Sequence, residues 1–416
     1  MASVSLAPLR HRSFSLALGS SLISSTGTWM QTVALGIYLT TTTKDALWLG
    51  LITLAAWLPA IVGSPTGGVM GDRFNRQRWI QSMNSVMALT ACALAVAKYT
   101  NHLSPQLCCY VAAVEGLCGS ASWAAWQSLL PELVGPDEVL AAVSLSSAQF
   151  NLGRVIGPLC AGVALAFGSI GLCFTLNAAS FVVVVVMFSF VKSPPRAKVL
   201  TKVRPIHETI QGARVAWAVK GCRNPIVGVA VVALIASPFI TLVPAMSILT
   251  LHAGKVGTAW LVTAQGVGAV AGALTLPGVA QRTSRLFVLR SSLATMTVAL
   301  VLYGLAPDLV LSALALGVLG GAYVGSLTGL NTSVQLHAPR NERTRILALY
   351  TLSLSIFYPV GALIQSAFAR TWGVRPVTLV AAGSLALVLA VVTLAHPHYW
   401  REIGAVPSSA AQLLAD

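Results

Sequence analysis

The sequence predicts an all-α membrane protein with twelve transmembrane helices arranged as two six-helix bundles. Of its 416 residues, 56% are hydrophobic and only 9% are charged, and the mean hydropathy is +0.79. Soluble globular domains carry charge on about a quarter of their residues, so a soluble protein of this length could not cover its surface with these side chains. Apolar runs such as 46–63 and 376–395 are long enough to cross a hydrocarbon core of ~30 Å as helices.

Breaks at polar or turn-rich positions divide the chain into twelve candidate spans. In order, they cover residues 14–39, 46–70, 79–98, 104–128, 138–166, 169–191, 226–250, 257–280, 286–305, 309–336, 346–368 and 376–395. The first of them is too long for the hydrophobic region of a secretory signal, so we interpret it as a membrane helix.

The positions of lysine and arginine orient these spans, because loops on the cytoplasmic side carry an excess of basic residues. If both termini lie on one side, that side receives twenty of the 26 basic residues. We therefore expect a multi-pass protein of the cell inner (cytoplasmic) membrane with both termini in the cytoplasm. The net charge of +15 then reflects topology and contact with anionic lipids of the bilayer, and we expect no nucleic acid as a partner.

The basic segment 192–224 separates six spans from six. Its first half is rich in Pro, Lys and Arg, as is typical of a linker, and its second half has the apolar spacing of an interfacial helix. We predict an N-terminal bundle over 1–191, this cytoplasmic linker, a C-terminal bundle over 225–396 and a cytoplasmic tail over 397–416. Short stretches of the two halves repeat in the same order, and such duplication is typical of transporters with a site between the halves.

The loop between the second and third spans reads GGVMGDRFNRQR (67–78). Gly68 would let two helix ends approach closely. Asp72 would favour a neighbouring helix N terminus, and Arg73 and Arg76 would pair with carboxylates or helix C termini. We interpret the cluster as a gating loop that holds one side shut in one state. A plain basic loop is the alternative.

The fifth span contains an arginine and a helix breaker, in the stretch FNLGRVIGPLCAG (150–162). Pro158 removes a backbone donor and bends the helix, and Gly157 permits close packing on a neighbour. A bent, tightly packed helix would restrict leakage between the two faces of the membrane. An ordinary proline kink is the alternative.

Two ionisable side chains lie well inside predicted spans, Glu115 in the fourth and Arg154 in the fifth. Such residues are costly in a membrane and indicate function. Helical rise places both in the middle-to-outer part of consecutive helices, where they could pair. A carboxylate that changes protonation as a cavity opens to either side could couple protons to substrate movement. A structural ion pair is the alternative.

Aromatic and amide side chains are the candidates for a substrate cavity. They are Trp29, Gln31, Trp123, Trp126 and Gln127. An indole ring can stack on an apolar substrate. Equally, tryptophan can anchor a helix at the membrane interface, and glutamine can bond to a neighbouring helix.

The sequence gives no indication of an enzyme. It has no GxxxxGK[ST] phosphate loop, and its histidines and cysteines lack metal-ligand spacing. We therefore expect no catalytic residues, no cofactor and no metal.

Together these stretches resemble the major facilitator superfamily, and within it the drug- and siderophore-exporter branch that includes macrolide-efflux and enterobactin-exporter proteins. The resemblance rests on SLISSTGTWMQTVAL, GDRFNRQR, QSLLPELVGPDEVLAAVSLSSAQFNLGRVIGPLCAG and NTSVQLHAPRNERTRILALYTLS. The family usually has glycine where this chain has Asn75, and asparagine tolerates left-handed backbone next best.

The resemblance implies alternating access and export of small, often amphipathic molecules such as a drug, siderophore or metabolite, driven by proton antiport. The expected partners are a small-molecule substrate, protons and the lipid bilayer, and we expect a monomer. The alternatives are an importer or facilitator on the same fold, and a non-transporting membrane protein that retains it.

Overall fold

The computed structural model describes residues 5–73, 75–167, 169–192, 213–339 and 341–404. Within them the secondary structure is helical, and these residues contain no strand. Most of the predicted linker (193–212) and the end of the predicted tail (405–416) lie outside the described residues.

Fifteen α-helices are numbered here in chain order. They are α1 (Arg12–Thr43), α2 (Leu47–Trp57), α3 (Ala60–Arg73), α4 (Arg76–Tyr99), α5 (Pro105–Leu129), α6 (Val139–Phe167), α7 (Ile170–Ser189), α8 (Lys220–Val231), α9 (Phe239–Ala245), α10 (Gly254–Arg282), α11 (Arg285–Leu305), α12 (Leu309–His337), α13 (Arg343–Trp372), α14 (Val374–Ala395) and α15 (Pro397–Gly404). Residues 213–218 are helical as well.

Eleven segments of the described chain are long and apolar enough to cross a membrane, and they coincide with the second to twelfth predicted spans. Two of them are built from consecutive helical pieces: α2 and α3 share the span Leu47–Gly68, and α8 and α9 share Lys220–Thr250. α1 is less apolar because it is rich in serine and threonine, but its 32 residues reach about 48 Å. It packs along α6 and α7 and completes the twelve, so the predicted all-α membrane fold is confirmed.

The chain forms two compact units. The first comprises Met1–Thr201 together with Ser247–Thr263, and the second comprises Lys202–Met246 together with Ala264–Asp416. The first unit therefore takes in a short segment of the predicted C-terminal bundle.

Glycines bring helix backbones of the first unit into contact. A Cβ atom on Gly63 or Gly67 of α3 would overlap the α5 backbone at Leu117 and Ala121. The four-residue spacing of these glycines puts both on one face of α3, which is the small-residue pattern of close membrane-helix contacts. In the second unit, Gly268 and Gly272 of α10 meet glycines of α12 in the same way.

Residues 397–404 of the predicted cytoplasmic tail form α15, which packs against α8 in the second unit. In α15, Trp400 and Ile403 are buried. The Glu402 carboxylate accepts hydrogen bonds from Lys220 Nζ at 2.9 Å and from Asn224 Nδ2 at 2.7 Å. The two hydrogen bonds of Glu402 thus hold α15 against the start of α8.

The contribution of Glu402 to this packing is expected to depend on pH. The hydrogen bond from Lys220, supported by Asn224, holds the pKa of the Glu402 carboxyl below its ordinary value of 4.5. A lowered folded-state pKa means that the stabilisation is complete above pH 4.5 and is lost as pH falls further, through the folded-state pKa. Limited proteolysis of the C terminus should therefore accelerate below pH 4.5 in the wild type. Glu402→Gln should show the faster cleavage already at pH 7; equal cleavage of both proteins at pH 7 would contradict the prediction.

Candidate functional site

A cavity of about 200 Å³ lies inside the first unit, among helices α1, α4, α5, α6 and α7. Six aromatic side chains and seven polar side chains line it, with a few aliphatic residues between them. The aromatic residues are Trp29, Trp123, Trp126, Phe150, Phe181 and Phe188, and the polar residues are Ser21, Ser24, Ser25, Thr28, Asn84, Ser122 and Gln149. Among the described residues that line it, none carries a charge.

One wall of the cavity is a row of hydroxyl groups on α1. Ser21, Ser24, Ser25 and Thr28 follow one another at intervals of three, one and three residues, which places them on one helix face. Gln149 of α6 donates to the Ser25 hydroxyl oxygen at 2.9 Å. The wall offers hydroxyl groups to a ligand that has its own donors and acceptors.

Another part of the cavity lining is aromatic. Phe150 lies between two tryptophans, with ring centroids 6.4 Å from Trp29 and 5.8 Å from Trp123. Trp126 Nε1 donates to the Ser146 hydroxyl at 3.0 Å, which fixes the indole ring. Edge-to-face rings at these distances form a stable surface on which an apolar ring can pack.

The five cavity candidates separate into two groups. The structure brings Trp29, Trp123 and Trp126 together at the cavity. Gln31 is only 2% exposed and lies in a polar network beyond the cavity, while Gln127 is exposed and does not line it. Neither glutamine lines this cavity.

Five polar side chains from four helices form a hydrogen-bonded network, which we call the donor network. Gln31 Nε2 donates to Glu115 Oε2 at 2.6 Å, and Thr90 Oγ1 donates to Glu115 Oε1 at 3.4 Å. Asn177 Nδ2 donates to Gln31 Oε1 at 2.8 Å, and Ser180 Oγ donates to Asn177 Oδ1 at 3.1 Å. The hydroxyls of Thr90 and Ser180 each have one proton and also a nearer backbone acceptor, Met87 O at 3.0 Å and Asn177 O at 2.7 Å respectively. The amide bonds from Asn177 to Gln31 and from Gln31 to Glu115 therefore form the main connection, which links α7 and α1 to α5.

The donor network lies directly beyond the cavity. On each of four helices, a network residue is within about one turn of a residue that lines the cavity. The pairs are Trp29 and Gln31 on α1, Met87 and Thr90 on α4, Glu115 and Gly119 on α5, and Asn177 and Phe181 on α7. The network residue follows the cavity residue along α1 and α4 and precedes it along α5 and α7. Since α1 and α4 cross the membrane in the direction opposite to α5 and α7, all four network residues lie on the same side of the cavity. The network is thus a layer about 5 Å from the cavity.

Arg154 and Glu115 have different partners in the structure. The Arg154 guanidinium carbon lies 5.5 Å from the centroid of the Trp29 ring, a cation–π geometry, whereas Glu115 is held by the donor network. Arg154 therefore contacts the back of the aromatic wall, and the structure does not support its pairing with Glu115.

The glycines of the fifth span allow α6 to pack closely against α1. A Cβ atom on Gly157 would lie 2.5 Å from Trp29 Cβ, and one on Gly153 would lie 2.7 Å from Ser25 Cβ. Both contacts are at residues that line the cavity, so the packing of α6 on α1 fixes the positions of Ser25 and Trp29 in the cavity lining. Pro158 is buried, and α6 continues through it; the predicted bend stays a prediction.

Gly157→Ala is expected to destabilise the protein by about 1–3 kcal/mol, because the added methyl group forces α6 away from Trp29. Thermal unfolding in detergent measures the loss. Gly19→Ala is the matched control, since a Cβ atom there meets nothing within 4 Å. Equal melting temperatures for the two variants would show that the close contact is unimportant.

Within its described residues, the predicted gating loop includes an ion pair between Arg76 and Glu132. Arg76 Nη1 donates to Glu132 Oε1 at 2.7 Å and to the backbone oxygen of Ser128 at 2.8 Å, near the C terminus of α5. Arg73 is exposed, and the side chain of Asp72 lies outside the described residues. Glu132 lies directly after the fourth predicted span, and the sequence motifs alone do not identify it as the partner of Arg76.

Two details of the loop differ from expectation. The close helix approach occurs at Gly67, whereas a Cβ atom on Gly68 would meet nothing within 4 Å. Asn75 has extended backbone, with φ −70° and ψ 119°, and its side chain accepts from Arg78 N at 3.2 Å. Asparagine therefore serves as the N-cap of α4 rather than as a left-handed turn residue.

The sequence profile of a family described as transmembrane secretion effector matches residues 3–413, nearly the whole chain. The chain belongs to this family of the major facilitator superfamily. The resemblance stated from the sequence motifs is thereby confirmed.

Curated relatives of this transmembrane secretion effector include transporters of siderophores. An enterobactin exporter of Shigella boydii serotype 18 is 26% identical over 356 residues, which cover 82% of this chain and 81% of that protein. A staphyloferrin A transporter of Staphylococcus aureus is 28% identical over 148 residues, 35% of this chain and 37% of that one.

Solved structures of transporters have the same fold. The nucleoside transporter NupG superposes with a TM-score of 0.77 at 12% identity, covering 92% of this chain and 98% of that one. A bacterial homologue of the iron transporter ferroportin gives 0.70 at 16% identity, with 96% and 100% covered. The family member described here is a multi-pass membrane transporter related to siderophore exporters, and it is not an enzyme.

Proposed function

We propose that this protein exports a small amphipathic molecule from the cytoplasm by alternating access, in exchange for protons. The observation that carries the proposal is the cavity with one aromatic and one hydroxyl wall, placed one helical turn from the buried Glu115. An aromatic wall favours apolar ring systems, and a hydroxyl wall favours polar substituents on the same molecule. A drug, siderophore or metabolite with both features fits.

Coupling follows from the connection between Glu115 and the cavity. When the carboxylate takes up a proton, it loses its charge and one of its two oxygens becomes a donor, so the bond from Gln31 weakens and the hydrogen bonds around Glu115 rearrange. Gln31 is two residues from Trp29, so rearrangement at Gln31 reaches the aromatic wall through α1. Proton binding and substrate binding would then influence each other reciprocally.

The exporter direction is supported by the similarity to an enterobactin exporter and by the Pro158 motif of the fifth span. The proposed setting is the bacterial inner membrane, with both termini in the cytoplasm and a monomer as the working unit. Arg76 with Glu132 is the proposed gating contact.

The test is transport into everted membrane vesicles, in which export appears as uptake. A panel of aromatic amphipathic compounds, siderophores included, should yield at least one that accumulates in energised vesicles and leaves when an uncoupler is added. Phe150→Ala should reduce its apparent affinity about tenfold, since an aromatic contact contributes on the order of 1 kcal/mol or slightly more. Phe167→Ala is the matched control on the same helix, because Phe167 is 88% exposed.

The other outcomes identify the alternatives. Equilibration without accumulation, unaffected by an uncoupler, would indicate a facilitator. Accumulation in right-side-out vesicles would indicate an importer. If no compound moves in either orientation, a non-transporting role becomes the better interpretation and the proposal fails.

A further inference from the structure

A second cavity lies in the second unit, along the first turns of α11, and its volume is about 540 Å³. We call it the α11 groove. It is lined by Ser284, Leu286, Phe287, Arg290, Ser291 and Ala294. These residues extend over eleven positions, from the N-cap of α11 to its tenth residue, or about 15 Å along the helix axis. Hydroxyl and guanidinium groups alternate there with apolar side chains, so the groove is amphipathic.

The groove begins where a membrane span begins. Arg285–Leu305 is long and apolar enough to cross a membrane, so its first turn lies at a membrane surface. Phe287 is 55% exposed there, and Ala294 lies almost two turns further along α11. The polar end of the groove is therefore at headgroup level, and its apolar end extends into the acyl region.

Positive charge accumulates at the same end. Arg282 ends α10, Arg285 begins α11, and Arg290 lines the groove; all three are exposed. Within the described part of the chain, no carboxylate forms an ion pair with any of them. The backbone N–H groups of the first α11 turn add further positive potential, and Ser284 caps that turn by accepting from Phe287 N at 3.0 Å.

Arg290 is held in place by α15. Its guanidinium carbon lies 5.5 Å from the centroid of the Trp400 ring. Trp400 is itself only 7% exposed and donates from Nε1 to the Thr393 hydroxyl at 3.2 Å. An arginine stacked on a fixed indole loses little conformational entropy when it binds an anion, so the site is preorganised.

We propose that the α11 groove binds one anionic phospholipid. Its phosphate would lie between Arg290 and the first turn of α11, and an acyl chain would follow Phe287 toward Ala294. Arginine and helix N-terminal N–H groups are the usual ligands of phosphate. A soluble phosphate would use only the polar end of the groove, whereas a phospholipid uses both ends.

The binding test is native mass spectrometry of the purified full-length protein after addition of phosphatidylglycerol, or of phosphatidylcholine in a parallel sample. One molecule of phosphatidylglycerol should be retained more strongly than phosphatidylcholine. Arg290→Gln should weaken that retention about tenfold, the effect of losing one charge-assisted hydrogen bond. Arg290→Lys should weaken it as well, because lysine keeps the charge but not the planar group that stacks on Trp400.

Arg343→Gln is the matched control: Arg343 is an exposed arginine that also begins a membrane helix, and its replacement changes the net charge equally. It should leave retention unchanged. The proposal would be overturned if both lipids were retained equally, or if Arg343→Gln weakened retention as much as Arg290→Gln does. Either result would mean that the lipid is held only by nonspecific attraction to basic residues. Inorganic phosphate that displaces the lipid and is itself retained would assign the site to a soluble anion instead.

Discussion

Glu115→Gln is expected to abolish proton-coupled accumulation of substrate. Glutamine has nearly the same shape as glutamate, and its amide oxygen can still accept the hydrogen bond that Gln31 donates. It cannot release or take up a proton at any working pH. A gradient of one pH unit supports about a tenfold concentration ratio for one proton exchanged per substrate. The variant should therefore show a ratio near one under the same gradient.

The measurement is the accumulation ratio in everted vesicles across imposed pH gradients. Substrate binding to the detergent-purified variant should persist, because Glu115 does not line the cavity. Thr90→Val is the control within the donor network: its bond to Glu115 is long, at 3.4 Å, and its loss should leave accumulation largely intact. A Glu115→Gln protein that still accumulates substrate against its gradient would give the carboxylate a structural role only.

Arg76→Gln should have the second large effect. The Arg76 side chain is 10% exposed and that of Glu132 is 21% exposed, so the substitution removes a short charge-assisted hydrogen bond from a poorly solvated carboxylate. Removal of one member of a buried pair costs about 3–5 kcal/mol, and the residual solvent contact of Glu132 reduces our expectation to about 2 kcal/mol. If the pair exists in one transport state only, that state loses population, and the transport rate changes more than tenfold.

Thermal unfolding and the transport rate together measure the effect. Arg78→Gln is the control, because Arg78 is exposed and begins the same helix. The exchange Arg76→Glu with Glu132→Arg should restore much of the lost rate if the ion pair itself matters. A double variant as slow as Arg76→Gln would show that the bond from Arg76 to the Ser128 carbonyl is the important contact instead.

The fold was predictable because it depends on coarse properties of the chain. The length of apolar runs and the positions of charges are sufficient to find eleven spans that the structure confirms. The family followed from motif order, and the profile match agrees with it. Neither inference needed to know which way any single side chain points.

The composition of the site was only partly predictable, because it depends on helix rotation. Trp29 and Gln31 are two residues apart, which is about 200° around a helix, so they cannot face the same cavity. This argument could have removed Gln31 from the cavity candidates. Phe150 and Glu132 become recognisable only when α6 lies against α1 and the end of α5 lies against the start of α4.

Contacts between backbones were the least predictable feature. Gly67 and Gly68 are adjacent and chemically identical, yet only Gly67 faces α5. Similarly, the pairing of Glu115 depends on whether its carboxyl group turns toward α1 and α4 or toward α6. Spacing along one helix does not decide which neighbour is met, since that choice follows from tertiary packing.

The hydroxyl wall of α1 also bears on biogenesis. The serines and threonines of this helix, including those that line the cavity, make it the least apolar of the twelve. Some hydroxyl groups, such as that of Thr26, donate to the backbone oxygen four residues earlier, which lowers the free-energy cost of placing them in the membrane. A helix of this kind partitions weakly into lipid when it leaves the ribosome. Its stable place is against α6 and α7, which are synthesised more than a hundred residues later. The helix that carries the hydroxyl groups of the cavity is therefore synthesised well before the helices that it packs against.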